Sequence, residues 1–188
     1  MISLSPEIVL QRIQDALPKA RVEILNNPSP SGQHAILVHR EDVLEVAGLL
    51  KNDPELLLDY ASNVSGVDYS DHLEAVYHLF SIAKKHGPIT LKVRTGDRAQ
   101  DVSVPSLTPI WKSADFQERE AFDLFGIRFE GHPDLRRLLM WEEFTDFPMR
   151  KDYVAPDDYE YEPTPHGSIV QKTQAHSKQA SASSSTNA

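Results

Sequence analysis

No cysteine occurs in the 188 residues, which excludes disulfides, thiolate catalysis, Cys-ligated zinc and all-Cys iron–sulfur ligation. Any part in redox chemistry must therefore be indirect. Glycine is scarce: the eight are Gly32, Gly48, Gly66, Gly87, Gly96, Gly126, Gly131 and Gly167, and no two stand in the G-x-G relation of a dinucleotide-binding turn. A G-K-[ST] phosphate loop is missing too. No apolar run approaches the ~18 residues of a membrane-spanning helix, and MISLSPEIVLQRIQDALPKA lacks a basic stretch followed by an apolar one. Cations are in deficit, 19 Lys and Arg against 28 Asp and Glu for a net charge of −9, which argues against nucleic acid and anionic lipid as partners. The expectation is a soluble, cytoplasmic domain that meets a protein or a small molecule.

What is present is a globular composition, 40% hydrophobic and 25% charged, in a length that suits one core. Ser5, Pro6 and Glu7 open a helix running to about Leu17, through an N-cap, a first-turn proline and an acid favoured by the helix dipole. Val22–Leu25 and Ala35–Val38 read as two strands of a hairpin around NNPSPSGQ. From Glu41 to Lys51, Val43, Leu44, Val46, Ala47 and Leu50 recur at helical spacing. Leu56–Tyr60, Ala75–Ile82 and Ile89–Thr95 read as strands, the last with Ile89, Leu91 and Val93 on one face and Thr90, Lys92 and Arg94 on the other. KKHGP makes the last two antiparallel neighbours. Thr108 and Pro109 then open a helix through Trp111, Ala114, Ala121 and Phe125, with a break near Ser113 and Gly126 as its C′ residue in positive φ. The predicted fold is α+β, a two-layer mixed or antiparallel sheet with helices on one face, over residues 1–153. Residues 154–188, rich in Pro, Ser and Ala, read as an extended or disordered tail that cannot bury enough apolar area to offset the entropy of ordering.

Chemistry is thinly signalled. His72 and His78 share a strand face but have no accompanying ligand set, so a structural role is the better reading. No G-x-S-x-G anchors a triad. Glu118, Arg119, Glu120 and Asp123 form the densest polar cluster. A carboxylate acid/base pair from Glu118 and Asp123 would make an autonomous hydrolase. The structural alternative is a ladder of Asp115, Arg119 and Asp123 at i, i+4, i+8, worth about 0.2–0.5 kcal/mol per exposed pair. His132-Pro133-Asp134-Leu135 reads as a turn whose acid caps nearby amides. Arg136, Arg137, Arg150 and Lys151, interleaved with Trp141, Phe144 and Phe147, have the composition of protein-interface hot spots; an RNA-binding reading has to contend with the net charge.

The string EREAFDLFGIRFEGHPDLRRLLM, Glu118 to Met140, resembles the signature of the peripheral C-type subunit of proton-translocating NADH:quinone oxidoreductase, respiratory complex I. Ser65-Gly66-Val67-Asp68, Val76-Tyr77-His78-Leu79, Pro105-Ser106-Leu107, Ile110-Trp111, Ala114-Asp115 and Arg150-Lys151-Asp152-Tyr153 extend the likeness to roughly residues 20–153. Ala121, Met149 and Val154 depart from it conservatively. The resemblance implies a chain that binds no cofactor, with FMN and iron–sulfur clusters in partner subunits and NADH and quinone as substrates of the whole complex. It implies a scaffold, not catalytic by itself, docked on the quinone-proximal D-type subunit at the cytoplasmic side of a bacterial membrane and touching that membrane only through the complex. By similarity, Glu118, Arg119, Glu120, Asp123, Gly126, His132, Pro133, Asp134, Arg136 and Arg137 form the signature. The expectation is that the acid–arginine ladder sets the exit angle of the following segment, and that Arg136, Arg137, Arg150 and Lys151 touch the neighbouring subunit. The homologous subunit of a membrane-bound hydrogenase, or of a dehydrogenase with another donor, shares the signature and stands as the alternative.

Overall fold

The computed structural model describes residues 4–27 and 34–154, so the predicted tail, apart from Val154, lies outside the described residues. Within the unit Met1–Tyr153 the chain starts as its local chemistry dictates. Ser5 is extended, its Oγ accepts from the Ile8 amide at 3.4 Å, and Pro6 opens helix α1 (Pro6–Ala16). The hairpin β1 (Val22–Leu25) and β2 (Ala35–Val38) is antiparallel as predicted. Helix α2 (Val43–Asn52) buries Val43, Val46, Ala47 and Leu50, the stripe that the 3.6-residue period lays on one side.

Strands β3 (Tyr60–Asp68), β4 (Leu73–Ser81) and β5 (His86–Arg94) form an antiparallel meander, and β2 joins β5 in parallel. The sheet is therefore mixed, in the order β1-β2-β5-β4-β3. Ala75, Tyr77 and Leu79 of β4 share the inner face with Ile89, Leu91 and Val93 of β5, packed into one core with Val9, Ile13, Val46 and Leu50 of the helices. The α+β class, with helices on one face, is what the structure shows.

Two predicted elements differ. Leu56–Tyr60 is not a strand: Leu57 has φ 42, Asp53 Oδ1 accepts from the Glu55 and Leu56 amides, and Leu56 and Leu58 enter the core from a turn. The strand begins at Tyr60, in the sequence YASNVSGVD, whose small and polar residues hide the alternation. The helix read from Thr108 is interrupted at Trp111, which is extended because its indole Nε1 donates to the Leu58 carbonyl at 2.8 Å. A 3₁₀ turn (Lys112–Ala114) then leads into α3 (Asp115–Phe125). Gly126 takes φ 76 and ends α3 as predicted. Short strands β6 (Ser103–Pro105) and β7 (Arg128–Glu130) pair in parallel and were not anticipated.

Gly66 of β3 lets α3 approach: a Cβ there would stand 2.5 Å from Cδ2 of Phe125. Gly48, inside α2, has nothing within 4 Å of the same position. Opposite outcomes follow for one substitution type. Gly66→Ala should cost about 1–3 kcal/mol by overpacking, whereas Gly48→Ala should gain about 0.5–1 kcal/mol of helix stability. Urea unfolding of both variants measures this, and equal effects would refute the packing at Gly66.

Candidate functional site

The chemistry-bearing residues gather where α3 meets the chain on either side of it. Glu118 points from α3 into the core, fully buried. Its carboxylate accepts from the Tyr77 hydroxyl at 3.0 Å, the Ser106 hydroxyl at 2.5 Å, the Leu107 amide at 2.8 Å and the Thr108 hydroxyl at 3.1 Å. One acid thus binds β4, the loop after β6 and α3. Burial pushes its carboxyl above the usual range, and the donors hold back part of that rise. Burial, reinforced by Glu118, also pushes the Tyr77 phenol well up. Thr108 therefore serves Glu118 and does not cap the helix.

Asp123, one turn further along α3 and also fully buried, faces the other way. Its Oδ2 accepts from three consecutive amides, Leu138 at 3.0 Å, Leu139 at 2.6 Å and Met140 at 2.9 Å. Its Oδ1 receives Arg137 Nη1 at 2.7 Å. Burial alone would raise this carboxyl, but the amides and the guanidinium outweigh it and hold it below the usual range. Arg137 also donates to the Asp123 and Asp146 carbonyls and lies over the rings of Phe144 and Phe147. Residues 131–153, which contain no helix or strand, form a strap clasped to α3.

The predicted ladder is absent. Arg119 meets neither Asp115 nor Asp123. It is buried over the Phe116 ring and donates to the Arg136 and Arg137 carbonyls at 3.2 and 3.3 Å, with Asp134 at 4.0 Å. Asp115 instead pairs with His132, whose Nε2 reaches the Asp115 carbonyl at 3.1 Å. The strap passes so close to α3 that its carbonyls compete successfully for the arginine. The capping role read for Asp134 is also reassigned. His132 Nδ1 accepts the Asp134 amide, while Asp134 binds Arg136 at 2.9 Å. Pro133 and Glu120 are exposed.

Arg150 donates through Nε to the Phe125 carbonyl at 2.6 Å, beside Gly126, and stacks on Phe147. Lys151 contributes its backbone amide to Asp68 at 2.7 Å. Asp68 and Arg98 are the pair that sequence reasoning missed. Arg98 grips Asp68 at 2.6 and 2.7 Å and Asp152 at 2.9 and 2.8 Å. That guanidinium, helped by the Lys151 amide, holds the Asp68 carboxyl at about 2 against its burial. Both Asp68 and Asp152 stand in strings that carry the resemblance, but nothing in a single sequence joins positions so far apart.

Catalytic use of Glu118 with Asp123 finds no support, since each is enclosed by its own donors and neither lines the main surface hollows. Among the described residues no three His, Cys, Asp or Glu side chains converge as metal ligands, and no helix is long and apolar enough to cross a membrane.

The described residues form an α+β chain whose polar side chains fasten residues 131–153 to α3 and β3. Residues 36–159 match the family described as respiratory-chain NADH dehydrogenase, 30 kDa subunit, and the chain belongs to that family. It is 44% identical over 154 residues to the C-type subunit of the NADH-quinone oxidoreductase of Roseiflexus castenholzii, covering 80% of this chain and 85% of that one. It is 44% identical over 125 residues to the C 2 subunit of the NADH-quinone oxidoreductase of Rhizobium meliloti, covering 65% and 66%. A trypsin-resistant fragment of Nqo5 superposes with a TM-score of 0.51 at 29% identity, over 69% of this chain and 98% of the fragment. A chain of an archaeal membrane-bound sulfane sulfur reductase shares the fold, with a TM-score of 0.61 at 20% identity over 79% of this chain and 85% of that one.

Replacing Asp123 by Asn removes the charge that Arg137 answers. The variant should lose about 3–5 kcal/mol and be cut by trypsin within the strap at a concentration that leaves the wild type intact. The depressed carboxyls give acid sensitivity of a definite sign. Asp68 contributes stability above its ordinary value of 3.8 that disappears as pH falls through about 2. Glu118, shifted upward, opposes this, because its ionisation costs stability as pH rises through its folded value. Acid unfolding of Asp68→Asn should accordingly be shallower over that range than that of the wild type.

Proposed function

We propose that this chain is the C-type subunit of an NADH:quinone oxidoreductase, a scaffold of the peripheral arm on the cytoplasmic face of a bacterial membrane. In this reading electrons pass from NADH through FMN and iron–sulfur clusters in other subunits to quinone, coupled to proton translocation, and this chain holds the quinone-proximal D-type subunit in place. Named relatives at 44% identity are subunits of that enzyme, which supports the assignment. The observation that carries the scaffold role is the strap. Its buried anchors, Asp123 and Asp68, fix an irregular segment that leaves Leu139, Trp141 and Met149 on its outer side, at 58%, 42% and 57% exposure. Fixing such side chains in advance lowers the ordering cost of docking. The alternative, the homologous subunit of a membrane-bound hydrogenase or of a dehydrogenase with another donor, has behind it only the fold shared with a chain of the archaeal sulfane sulfur reductase.

The four cations proposed for the interface divide by geometry. Arg137 and Arg150 are committed within the chain, whereas the side chain of Arg136 is 68% exposed and that of Lys151 lies on the surface. Arg136→Ala should therefore leave the melting temperature of the isolated chain unchanged while lowering the amount of assembled, NADH-oxidising complex in membranes of a strain dependent on the variant. Arg137→Ala should destabilise the isolated chain itself by about 3–5 kcal/mol. Normal assembly of both Arg136→Ala and Arg136→Glu would overturn the interface role.

A further inference from the structure

No helix among the described residues covers the outer face of the five-stranded sheet. There β4 sets Glu74, Val76 and His78 beside Arg94, Lys92 and Thr90 of β5. The parallel pairing of β2 adds Ala35 and Leu37 next to Thr90 and Lys92. Two hollows follow one another along β1, β2 and β5. One, of about 520 Å³, has Leu25, Ala35, Val67 and Val76 among its walls, and the next, of about 700 Å³, takes in Glu23, Leu37 and Arg94. A run of two hollows along strands suits a length of polypeptide better than one small ligand.

The chemistry of the face narrows the occupant. The described lining of the first hollow holds one cation, Lys92, and no acid. Residues 28–33, between β1 and β2 in the sequence, include no charged residue. Glu74, which Lys92 and Arg94 both grip at 2.8 Å, is only 1% exposed while Arg94 is 41% exposed, so two cations answer one buried acid there, apart from the exposed Glu23 on the edge strand β1. Lys92 has three protons and spends one on Glu74 and one, at 3.5 Å, on the Tyr69 hydroxyl, and Arg94 spends only Nε. His78, in the wall of the same hollow, has a buried Nδ1 with no hydrogen-bond partner, a state that a native fold rarely leaves uncompensated.

We propose that this outer sheet face docks a segment of a neighbouring protein chain, which sets a carboxylate against Lys92 and Arg94 and apolar side chains into the adjoining hollow, and supplies the partner of His78 Nδ1. The proposal rests on the reading of the chain as a subunit and adds a second contact surface, apart from the strap.

The test uses the full chain in the assembled membrane complex, with the photoreactive p-benzoylphenylalanine in place of Leu37. Irradiation should join it to one peptide of another subunit, with Asp or Glu flanked by apolar residues when mapped by mass spectrometry. His78→Leu, which removes the unpartnered nitrogen, should melt no lower as the isolated chain yet dissociate from the complex about tenfold faster, the loss of roughly one hydrogen bond. A complex that forms normally but yields no cross-link to another subunit, a link only to this chain's own residues, or a linked peptide without an acid would overturn the docking face alone. So would retention of His78→Leu at the wild-type rate. A wild-type chain that enters no NADH-oxidising assembly would overturn the subunit reading, and this proposal with it.

Discussion

A buried carboxylate needs several hydrogen-bond donors to stay ionised, and Asp123 finds them in three successive amides and one guanidinium. The dependence is mutual. Residues 131–153 have no ladder of their own to satisfy their backbone, so their amides need acceptors that lie elsewhere in the fold. Asp123 serves three, the Leu124 carbonyl takes the Met149 amide, and Asp68 takes that of Lys151. An irregular segment is thereby given one conformation by two acids, one on α3 and one at the last position of β3.

That clasp works only if α3 is itself fixed, and Glu118 does this from the opposite side of the helix. Its four donors come from β4 and from the loop 106–108, so the helix cannot rotate or slide without stranding buried hydroxyls. Gly66 and Gly126 complete the geometry. The first allows Phe125 against β3, and the second turns the chain into β7 while Arg150 and Phe147 close over it. The residues around α3 thus fasten the chain to itself, and the two acids differ in protonation tendency because burial outweighs the donors at Glu118, whereas amides and a cation outweigh burial at Asp123.

The sequence disclosed elements wherever local rules act alone. The Ser5 cap, the α2 stripe, the alternation of β5 and the Gly126 terminator were all legible, because each depends on residues within one or two turns. What failed to show depends on distant partners. Trp111 breaks a helical pattern for a carbonyl at Leu58. β3 carries Gly66 because Phe125 of α3 packs tightly there. The Asp115–Arg119–Asp123 spacing is a valid helix rule that loses to the strap, whose carbonyls and guanidinium reach the same side chains with better geometry. Asp68 and Arg98 lay beyond any such rule, and the likeness of the strings around Asp68 and Asp152 marked the positions without giving the pairing.

Satisfying the charges internally has a consequence for the surface. Arg119, Arg137, Arg98 and Arg150 are all turned toward the chain's own carbonyls, acids and rings, so the strap presents Leu139, Trp141 and Met149 among exposed charges that include Arg136, Glu142, Glu143 and Lys151. Association through such a surface draws adhesion from apolar area, and the exposed charges beside it add a contribution that salt screens. The outer sheet face instead gathers its cations in one place, Lys92 and Arg94 over a single buried acid. A neighbour that met both surfaces would have its orientation set by the charge cluster of the sheet face and would be held at the strap by apolar area together with exposed charges.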